Sequence, residues 1–281
     1  MGLQNLPLTL SPASSTFRKV AMGTWRTAKD PSVYGLLEVD MTKALSFMRQ
    51  YSEKHSIKIT PAHLVGKAAA YCIGRRPEIN AMIRGSRIYL RDNVNLFFQV
   101  NIPGSGNDKA KKANLAGCTI PHAEDLPLRE IALQLQEKAD KVRKGQDREM
   151  ASNMGLIAKL PWWMVKYYLD LGSWLIYGLN LNLGWLGLPR DPFGSVMITN
   201  VGSMGIDKAW APLCPYTRVP ILVTVGSIQE RPWVVSGKVE VRPIMPLGVT
   251  FDHRLIDGVH ASRMAVDMKH CFDNPEELLG E

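Results

Sequence analysis

The residues most suggestive of chemistry lie near the end of the chain, where His253 and Asp257 stand four positions apart and Gly258 follows. The apolar, alternating residues 244–251 precede them and predict a strand that leads into the motif. Imidazole is the only side chain whose unperturbed pKa lies close to neutral pH, so a histidine at a strand end can act as a general base. A thiol or hydroxyl nucleophile needs such a base. Taken alone, a histidine and a carboxylate at this spacing more often form a hydrogen-bonded surface pair, so the surrounding sequence must decide.

Helices and strands alternate along the rest of the chain. Thr60 and Pro61 mark a helix start, because a hydroxyl residue caps the first turn and proline suits the first helical position; an Ala-rich stretch continues this helix to Arg75. A second, amphipathic helix is predicted over residues 127–144. Its apolar face carries Leu128, Ile131, Leu135 and Ala139. Strands are predicted over residues 33–39, 93–100, 195–199, 219–227 and 244–250.

The closing helix is predicted over residues 258–272, with Met264, Ala265 and Met268 facing inward. His253 and Asp257 then fall in the turn between the last strand and this helix. Side chains in such turns stand at the rim of a sheet, where sites are commonly built. The mixture of helices and strands indicates an α/β fold.

The composition is that of an intracellular globular enzyme. The 281 residues are 46% hydrophobic, which suffices for one large core or two smaller ones. With 34 basic and 26 acidic residues the formal charge is +8, and without a nucleic-acid-binding motif ordinary solvated charge explains this excess better than nucleic acid does. The four cysteines are scattered and no signal segment is recognised, so a cytoplasmic protein with reduced thiols is expected. The histidines form no metal-ligand pattern, and no metal site is predicted.

Residues 251–258 and the predicted helix after them resemble the His-x-x-x-Asp-Gly signature of the acyltransferase (E2) catalytic domain of 2-oxoacid dehydrogenase complexes, whose fold is shared by chloramphenicol acetyltransferase. Other pieces similar to this family keep its order and approximate spacing through most of the chain. They are residues 17–21, 37–42, 58–61, 67–69, 76–81, 198–202, 220–222, 225–228 and 231–232. The resemblance implies an α/β, chloramphenicol acetyltransferase-like two-layer sandwich of a mixed sheet and helices, in a protein that forms trimers.

The same resemblance implies roles for individual residues. His253 would be the general base, and Thr199, where the family usually has serine, would donate a hydrogen bond to the tetrahedral oxyanion. A strand-end threonine that satisfies a backbone group is the alternative interpretation. Asp257 would hold the turn, paired with a basic residue such as Arg18. The candidate site therefore has His253, Asp257 and Thr199 as catalytic residues, Asn200 and Gly202 as substrate-binding residues, and Gly258 and Arg18 as structural residues.

The implied reaction is direct acyl transfer between thiols, with no covalent acyl-enzyme. Coenzyme A is the implied substrate, its phosphates met by Lys and Arg, and a lipoyl group on a separate protein is the second expected thiol carrier. The expected partners are a lipoyl or acyl-carrier protein and two further copies of this chain, in a homotrimer that can build a cubic cage. Two alternatives stay open: an inactive E2-like cage or scaffold, and acyl-CoA transfer to an alcohol or amine.

We expect a flexible N-terminal arm at residues 1–16 and one catalytic domain at 17–281, acting as a stand-alone core without a lipoyl domain. Residues 101–125 differ from the family's acceptor-channel segment. A hydrophobic, aromatic insertion occupies about residues 154–192 and holds four of the seven tryptophans. Subunit packing, a lid over a hydrophobic acyl chain and membrane contact are its interpretations, in that order. Glycines and two asparagines within the uncharged residues 171–189 argue against a membrane span.

Overall fold

The computed structural model describes residues 5–10, 30–102, 114–143, 160–186 and 190–279, and these ranges contain ten strands and six α-helices. The strands are β1 (Leu8–Leu10), β2 (Ser32–Asp40), β3 (Ala81–Arg84), β4 (Arg87–Arg91), β5 (Leu96–Ile102), β6 (Asn114–Ile120), β7 (Val196–Asn200), β8 (Ile221–Val225), β9 (Gln229–Val235) and β10 (Lys238–Asp252). The helices are α1 (Thr42–His55), α2 (Pro61–Gly74), α3 (Leu128–Arg143), α4 (Trp162–Ser173), α5 (Gly258–Asp273) and α6 (Pro275–Leu279).

Seven strands form the large sheet, in the order β2-β10-β8-β7-β5-β6, and β9 pairs with β10 outside this path. β7 runs parallel to its neighbours β5 and β8, whereas the other pairs are antiparallel. The main hydrophobic core lies between one face of this sheet and the helices α1, α2, α3 and α5. The predicted two-layer sandwich with a mixed sheet is therefore confirmed.

Helix α2 approaches the sheet closely. A side chain at Gly66 would overlap the ring of Phe98 and press on the tip of Ile198, so glycine lets the helix lie directly over β5 and β7. Thr60 precedes the helix as its N-cap and Pro61 is its first residue, as predicted. The predicted face of α3 is also confirmed, because Leu128, Ile131 and Ala139 are buried and Leu135 packs against them.

The opposite face of the large sheet carries a smaller core. Successive strand residues alternate between faces, so Met197 of β7 and Leu222 of β8 point away from the helices. They pack with Phe97 and Val219, and Ala211 and Leu213 from the segment between β7 and β8 lie against them. This segment thus covers part of the face that carries no helix of the main core.

Three short strands form a separate sheet in the order β1-β4-β3. β1 lies within the predicted N-terminal arm and pairs with β4 of the domain. The described part of the insertion packs on the same sheet, where Ile176 and Tyr177 are buried with Leu6 and Met82. The Asn180 carboxamide joins the two segments, accepting from Leu6 N at 2.7 Å and donating to Leu6 O at 2.8 Å.

The outer surface of the insertion is apolar. On α4 and the π-helical turn Trp174–Gly178 that continues it, Trp163, Tyr167, Leu171 and Trp174 form one exposed stripe. None of the helices in the described ranges combines the length and apolar content needed to cross a bilayer. The inner face of this segment therefore packs within its own chain, while its outer face is presented to the surroundings.

The last strand is longer than predicted. β10 spans 15 residues because its first half pairs with β9 in a hairpin that the sequence analysis does not predict. Ser236 and Gly237 form the turn, both with positive φ, 49° and 80°. That pair between two valine-rich runs is a recognisable hairpin signal. The second half of β10 lies between β2 and β8 and carries the motif into its turn.

Candidate active site

The His253 turn, residues 252–257, connects β10 to α5 as predicted. The Arg254 guanidinium grips the carboxylate of Asp252 through contacts of 2.6, 2.9 and 3.2 Å, and Arg254 N donates to the same carboxylate at 3.0 Å. Two backbone hydrogen bonds attach the turn to its neighbours, from Asp252 N to Pro220 O at 2.9 Å and from His253 N to Pro31 O at 3.0 Å. The start of the turn is therefore tied to the rim of the sheet.

The half-buried His253 ring is oriented by the same turn. Its Nδ1 lies 3.1 Å from the carbonyl oxygen of Ile256. A carbonyl oxygen can only accept, so this contact assigns the proton of the neutral ring to Nδ1. Nε2 then carries the lone pair, which is the arrangement that a general base requires.

Asp257 is the N-cap of α5. Its Oδ1 accepts from Val259 N and His260 N, each at 3.0 Å, and lies 2.7 Å from Nδ1 of His260. The carboxylate thus closes the first turn of the helix and holds a second imidazole. From the sequence, His260 is expected to have no more than a surface or capping role and Arg254 has no predicted role, although their closeness to the motif was a signal for both. The predicted pairing of Asp257 with Arg18 lies outside the described residues.

Gly258 begins α5 and is exposed, and a Cβ at this position would meet no described atom within 4 Å. Steric necessity within the protomer therefore does not explain this glycine, and its structural role stays a prediction.

Thr199 lies near the end of β7 and is 9% exposed. Its neighbours Val196 and Ile198 face the helices, so alternation directs the threonine to the opposite face, with Met197. Within the described part of the chain the Thr199 hydroxyl makes no hydrogen bond, so the backbone-satisfying alternative finds no support there.

Asn200 and Gly202 build the tight turn that follows β7. The Asn200 side-chain oxygen accepts from Ser203 N at 3.1 Å, and its backbone oxygen accepts from the Ser203 hydroxyl at 2.9 Å. A Cβ on Gly202 would lie 2.7 Å from Ser227 N and would overlap the carbonyl of Gly226. This glycine therefore permits the close approach of two backbones beside Thr199.

The sheet register separates the two catalytic candidates. Thr199 pairs with Thr224 of β8, which pairs with Gly248 of β10, whereas His253 lies five residues further along the chain from Gly248. Five residues of strand correspond to ~17 Å, and β7 and β10 are two strand spacings apart, a further ~10 Å sideways. Within one protomer, His253 and Thr199 therefore stand at different ends of the sheet, far beyond hydrogen-bond reach.

Other titratable groups of the core have structural explanations. The buried His63 accepts from Thr60 N at 3.2 Å and closes the first turn of α2, and burial lowers its pKa to about 4. The Lys67 ammonium donates to the carbonyls of Glu124 and Leu126 at 3.2 and 2.6 Å. In the residues with described positions, no three His, Cys, Asp or Glu side chains are grouped to hold a metal ion.

The sequence of this chain matches a known protein family. A family model described as 2-oxoacid dehydrogenases acyltransferase (catalytic domain) matches residues 12–153 and 193–280. The interval between the two matches, residues 154–192, coincides with the predicted insertion.

Curated relatives align over most of this chain. It is 27% identical over 248 residues to the dihydrolipoyllysine-residue acetyltransferase component of the acetoin cleaving system of Bacillus subtilis, covering 86% of this chain and 50% of the relative. It is 29% identical over 248 residues to the mitochondrial dihydrolipoyllysine-residue succinyltransferase component of 2-oxoglutarate dehydrogenase complex 1 of Arabidopsis thaliana, covering 86% and 42%. The chain thus spans about half the length of the curated relatives it matches.

Solved structures share the fold at low identity. The cubic core of the pyruvate dehydrogenase multienzyme complex superposes with a TM-score of 0.64 at 18% identity, covering 96% of this chain and 94% of that one. Chloramphenicol acetyltransferase gives 0.53 at 14% identity, covering 94% and 99%.

The dihydrolipoamide acetyltransferase of Azotobacter vinelandii gives a TM-score of 0.63 at 19% identity, covering 92% of this chain and 87% of that one. A serine, a histidine and, four residues later, an asparagine were investigated for their role in the catalytic mechanism of that enzyme. These superpositions confirm the chloramphenicol acetyltransferase-like fold. Because the family model matches most of its length, the chain belongs to the 2-oxoacid dehydrogenase acyltransferase family, in the part that forms the catalytic domain.

Proposed function

We propose that this protein transfers an acyl group between a thioester and a thiol, with His253 as general base and without a covalent acyl-enzyme. The family supports the reaction class, and the relatives are acetyl- and succinyltransferases of a dihydrolipoyllysine residue. The contact between His253 Nδ1 and Ile256 O supports the choice of base, because it leaves the lone pair on Nε2. Coenzyme A is the proposed substrate at one thiol, and a lipoyl group on a separate protein is the proposed carrier of the other.

The proposed reaction has two steps. His253 Nε2 takes the proton of the acceptor thiol while the sulfur bonds to the thioester carbonyl carbon, and the Thr199 hydroxyl donates a hydrogen bond to the resulting oxyanion. The tetrahedral intermediate then releases the original sulfur as its carbon–sulfur bond breaks. The imidazolium returns the proton to that sulfur, so the enzyme ends as it began.

The separation of His253 and Thr199 within one protomer supports a site shared between two subunits. Both side chains sit at ends of strands, but about five residues of strand length apart along the sheet. Head-to-tail contacts between identical subunits close into a ring. In the ring that we propose, the His253 end of one protomer meets the Thr199 end of the next. We therefore propose a homotrimer with three shared sites.

Mixed trimers test this arrangement. Chains carrying His253→Ala and chains carrying Thr199→Ala are each expected to be nearly inactive alone. When they are co-expressed in equal amounts, about one interface in four unites an intact histidine with an intact threonine, because each partner is drawn at random around the ring. Acyl transfer from acetyl-CoA to dihydrolipoamide should therefore recover to about a quarter of the wild-type rate per site.

The control is a chain with both substitutions co-expressed with the His253→Ala chain, where no interface holds an intact histidine. It should stay inactive. Absence of recovery in the first mixture, with trimers confirmed by sedimentation, would show that the two residues do not form a shared site.

The same assay separates the remaining functions. Acyl-CoAs of increasing chain length are supplied with and without dihydrolipoamide, and with alcohol and amine acceptors. Turnover only with an alcohol or amine supports the alternative acceptor. No turnover with any combination of acyl-CoA and acceptor supports an inactive scaffold. Transfer to dihydrolipoamide supports the thiol-to-thiol reaction.

Some details rest on the same proposal. We place Asn200 and Gly202 beside the bound acyl group, since they form the turn next to Thr199, and we keep Gly258 and Arg18 as structural residues of the site. We propose one catalytic domain at residues 17–281 with the insertion at 154–192, which the gap in the family match supports. The likeness to a cubic core supports a further assembly of trimers. We propose a reducing compartment such as the cytoplasm, because the four cysteines are scattered along the sequence without a close pair.

A further inference from the structure

A pocket of about 510 Å³ opens between the small sheet, the insertion and the segment before β8. Its walls are Arg84, Gly85, Tyr89, Trp174, Gly178 and Arg218, and together they are called the arginine pocket below. Its volume lies within the usual range for sites that take small molecules or cofactors, ~300 to 1,000 Å³. Trp174 and Gly178 belong to residues 154–192, which the family model does not match, so one wall of the pocket lies outside the matched part of the chain.

Two guanidinium groups meet in this pocket from distant parts of the chain, and their partners are neutral. Arg84 donates through Nε to the Gly178 carbonyl at the end of the π-helical turn and lies 5.4 Å from the centre of the Tyr89 ring. Arg218 donates to Ser173 Oγ at 3.2 Å and to Ile83 O at 3.4 Å. Among the residues with described positions, neither guanidinium forms a salt bridge with a carboxylate.

The charged neighbours of Arg218 are themselves paired. The pKa of Arg218 is lowered by burial first and by the nearby Arg254 second, while Asp170 acts in the opposite direction. Asp170 pairs with Lys166 at 2.7 Å and Arg254 pairs with Asp252 at 2.6 Å, so each of these two charges acts on Arg218 only in part. Arg218 also adopts a left-handed backbone conformation, φ 57° and ψ 20°, which is uncommon for a residue with a side chain and is found more often at functional sites.

The chemistry of the walls identifies a class of ligand. Guanidinium forks fit phosphate and carboxylate oxygens, and two of them without a carboxylate partner match the double charge of a phosphate best. The exposed face of Trp174 and the ring of Tyr89 offer flat apolar surfaces on which an aromatic ring can stack. We propose that the arginine pocket binds a phosphorylated ligand of the nucleotide class, with its phosphate on Arg84 and Arg218 and its base against Trp174.

The pocket adjoins the candidate active site. Arg218 is two residues from Pro220, whose carbonyl accepts from Asp252 N at 2.9 Å, and Asp252 directly precedes His253. Two sources therefore fit the same chemistry. One is the nucleotide end of an acyl-CoA, which rests on the proposed function, and the other is a separate nucleotide that binds beside the site.

Calorimetric titration of the intact protein with an adenosine bisphosphate tests the pocket without any need for turnover. Wild-type protein is expected to bind it, and adenosine without phosphate should bind at least about tenfold more weakly, because the charge-assisted hydrogen bonds are lost. Arg84→Gln and Arg218→Gln should each lower the affinity for the bisphosphate by about tenfold or more. Trp174→Leu should lower it by a smaller factor. Arg87→Gln is the matched control, since Arg87 is an exposed arginine of the same hairpin and does not line the pocket. This variant should bind the bisphosphate with the affinity of the wild type.

Circular dichroism melts of every variant establish that the fold is kept, and Arg84→Lys, which keeps the charge but not the fork, provides a second substitution at that position. The KM for acyl-CoA then separates the two sources. A raised KM with unchanged kcat in the Arg84 and Arg218 variants identifies the donor's nucleotide end, whereas bisphosphate binding with an unchanged KM identifies a separate nucleotide. The proposed ligand site is contradicted if folded wild-type protein does not bind the bisphosphate. It is also contradicted if neither arginine variant alters this binding. Both outcomes hold whatever the acyl-transfer assay gives.

Discussion

At the scale of single residues, the backbone of its own turn orients the proposed base His253. The carbonyl of Ile256 lies against Nδ1, which leaves the lone pair of the neutral ring on Nε2. Asp257, the other half of the motif, instead caps α5 and holds His260. The two residues that stand out together in the sequence therefore have different surroundings, and we propose a chemical role for His253 and a structural one for Asp257.

Thr199 provides the sharpest prediction at this scale. Thr199→Ala should lower kcat by about a hundred- to a thousandfold, the usual cost of losing one oxyanion donor, whereas Thr199→Ser should keep most of the activity. Because its hydroxyl makes no hydrogen bond in the described part of the chain, neither variant should shift the urea unfolding midpoint appreciably. Steady-state kinetics measure the expected change in kcat, and urea unfolding measures the expected constancy of the midpoint. A large loss of stability with little change in kcat would indicate a purely structural threonine.

At the scale of elements, a side chain closes the first turn of each of two helices. The first turn of α2 uses the His63 ring, and the first turn of α5 uses the Asp257 carboxylate, to satisfy backbone N–H groups that have no partner within the helix. These two contacts differ in their response to pH, because one of the acceptors is a histidine whose ring is buried.

We predict that His63 makes the fold sensitive to acid. Its pKa is about 4 in the folded chain against 6.5 ordinarily, so between these values the unfolded state binds more protons and the free energy of unfolding falls as the pH falls. The full contribution is present above pH 6.5, and its loss across the window is on the order of 3 kcal/mol. His63→Gln, which keeps an acceptor for Thr60 N, should flatten this dependence in urea unfolding at several pH values.

The exposed His270 offers the matched control, because His270→Gln should leave the wild-type slope in place. Equal slopes for wild type and His63→Gln would contradict the assignment.

A buried ion pair joins the small sheet to the end of the insertion. Arg91 in β4 contacts Asp191 at 2.5 Å, with 3% and 6% of the two side chains exposed, and Asn95 and Tyr177 also donate to this carboxylate at 2.8 and 3.3 Å. Arg91→Met should destabilise the fold by about 3 to 5 kcal/mol, because it leaves a buried carboxylate without its counter-charge.

Lys141→Met, which breaks an exposed pair with Glu137, is the comparison and should leave the unfolding free energy almost unchanged, because solvent screens such a pair. Urea unfolding measures both variants. Similar losses for the two would mean that Arg91 contributes no more than a surface charge.

At the scale of the whole molecule, the sheet topology sets what a single chain can do. Parallel β7 and antiparallel β10 place Thr199 and His253 at different ends of the sheet, so under the proposed mechanism one protomer supplies two half-sites. Activity should therefore depend on assembly. On serial dilution the specific activity should fall in proportion to the trimer fraction measured by sedimentation velocity, since only assembled interfaces hold both groups. A monomer with full activity would contradict the shared site.

The sequence by itself determined the features that local interactions control. Thr60 with Pro61, the apolar face of α3 and the helix after Asp257 all appear where periodicity and capping indicate them, because these signals act over a few residues. The order of family-like pieces likewise identified the fold, and it singled out His253 and Thr199 as candidate site residues, which stay a prediction.

Only the tertiary structure decided how distant segments meet. It paired β1 with β4, extended β10 through its hairpin, set the distance between the half-sites, and brought Arg84, Trp174 and Arg218 into one pocket. These arrangements depend on strand register and on packing between residues far apart in the chain, and no local pattern of residue types specifies which strand pairs with which.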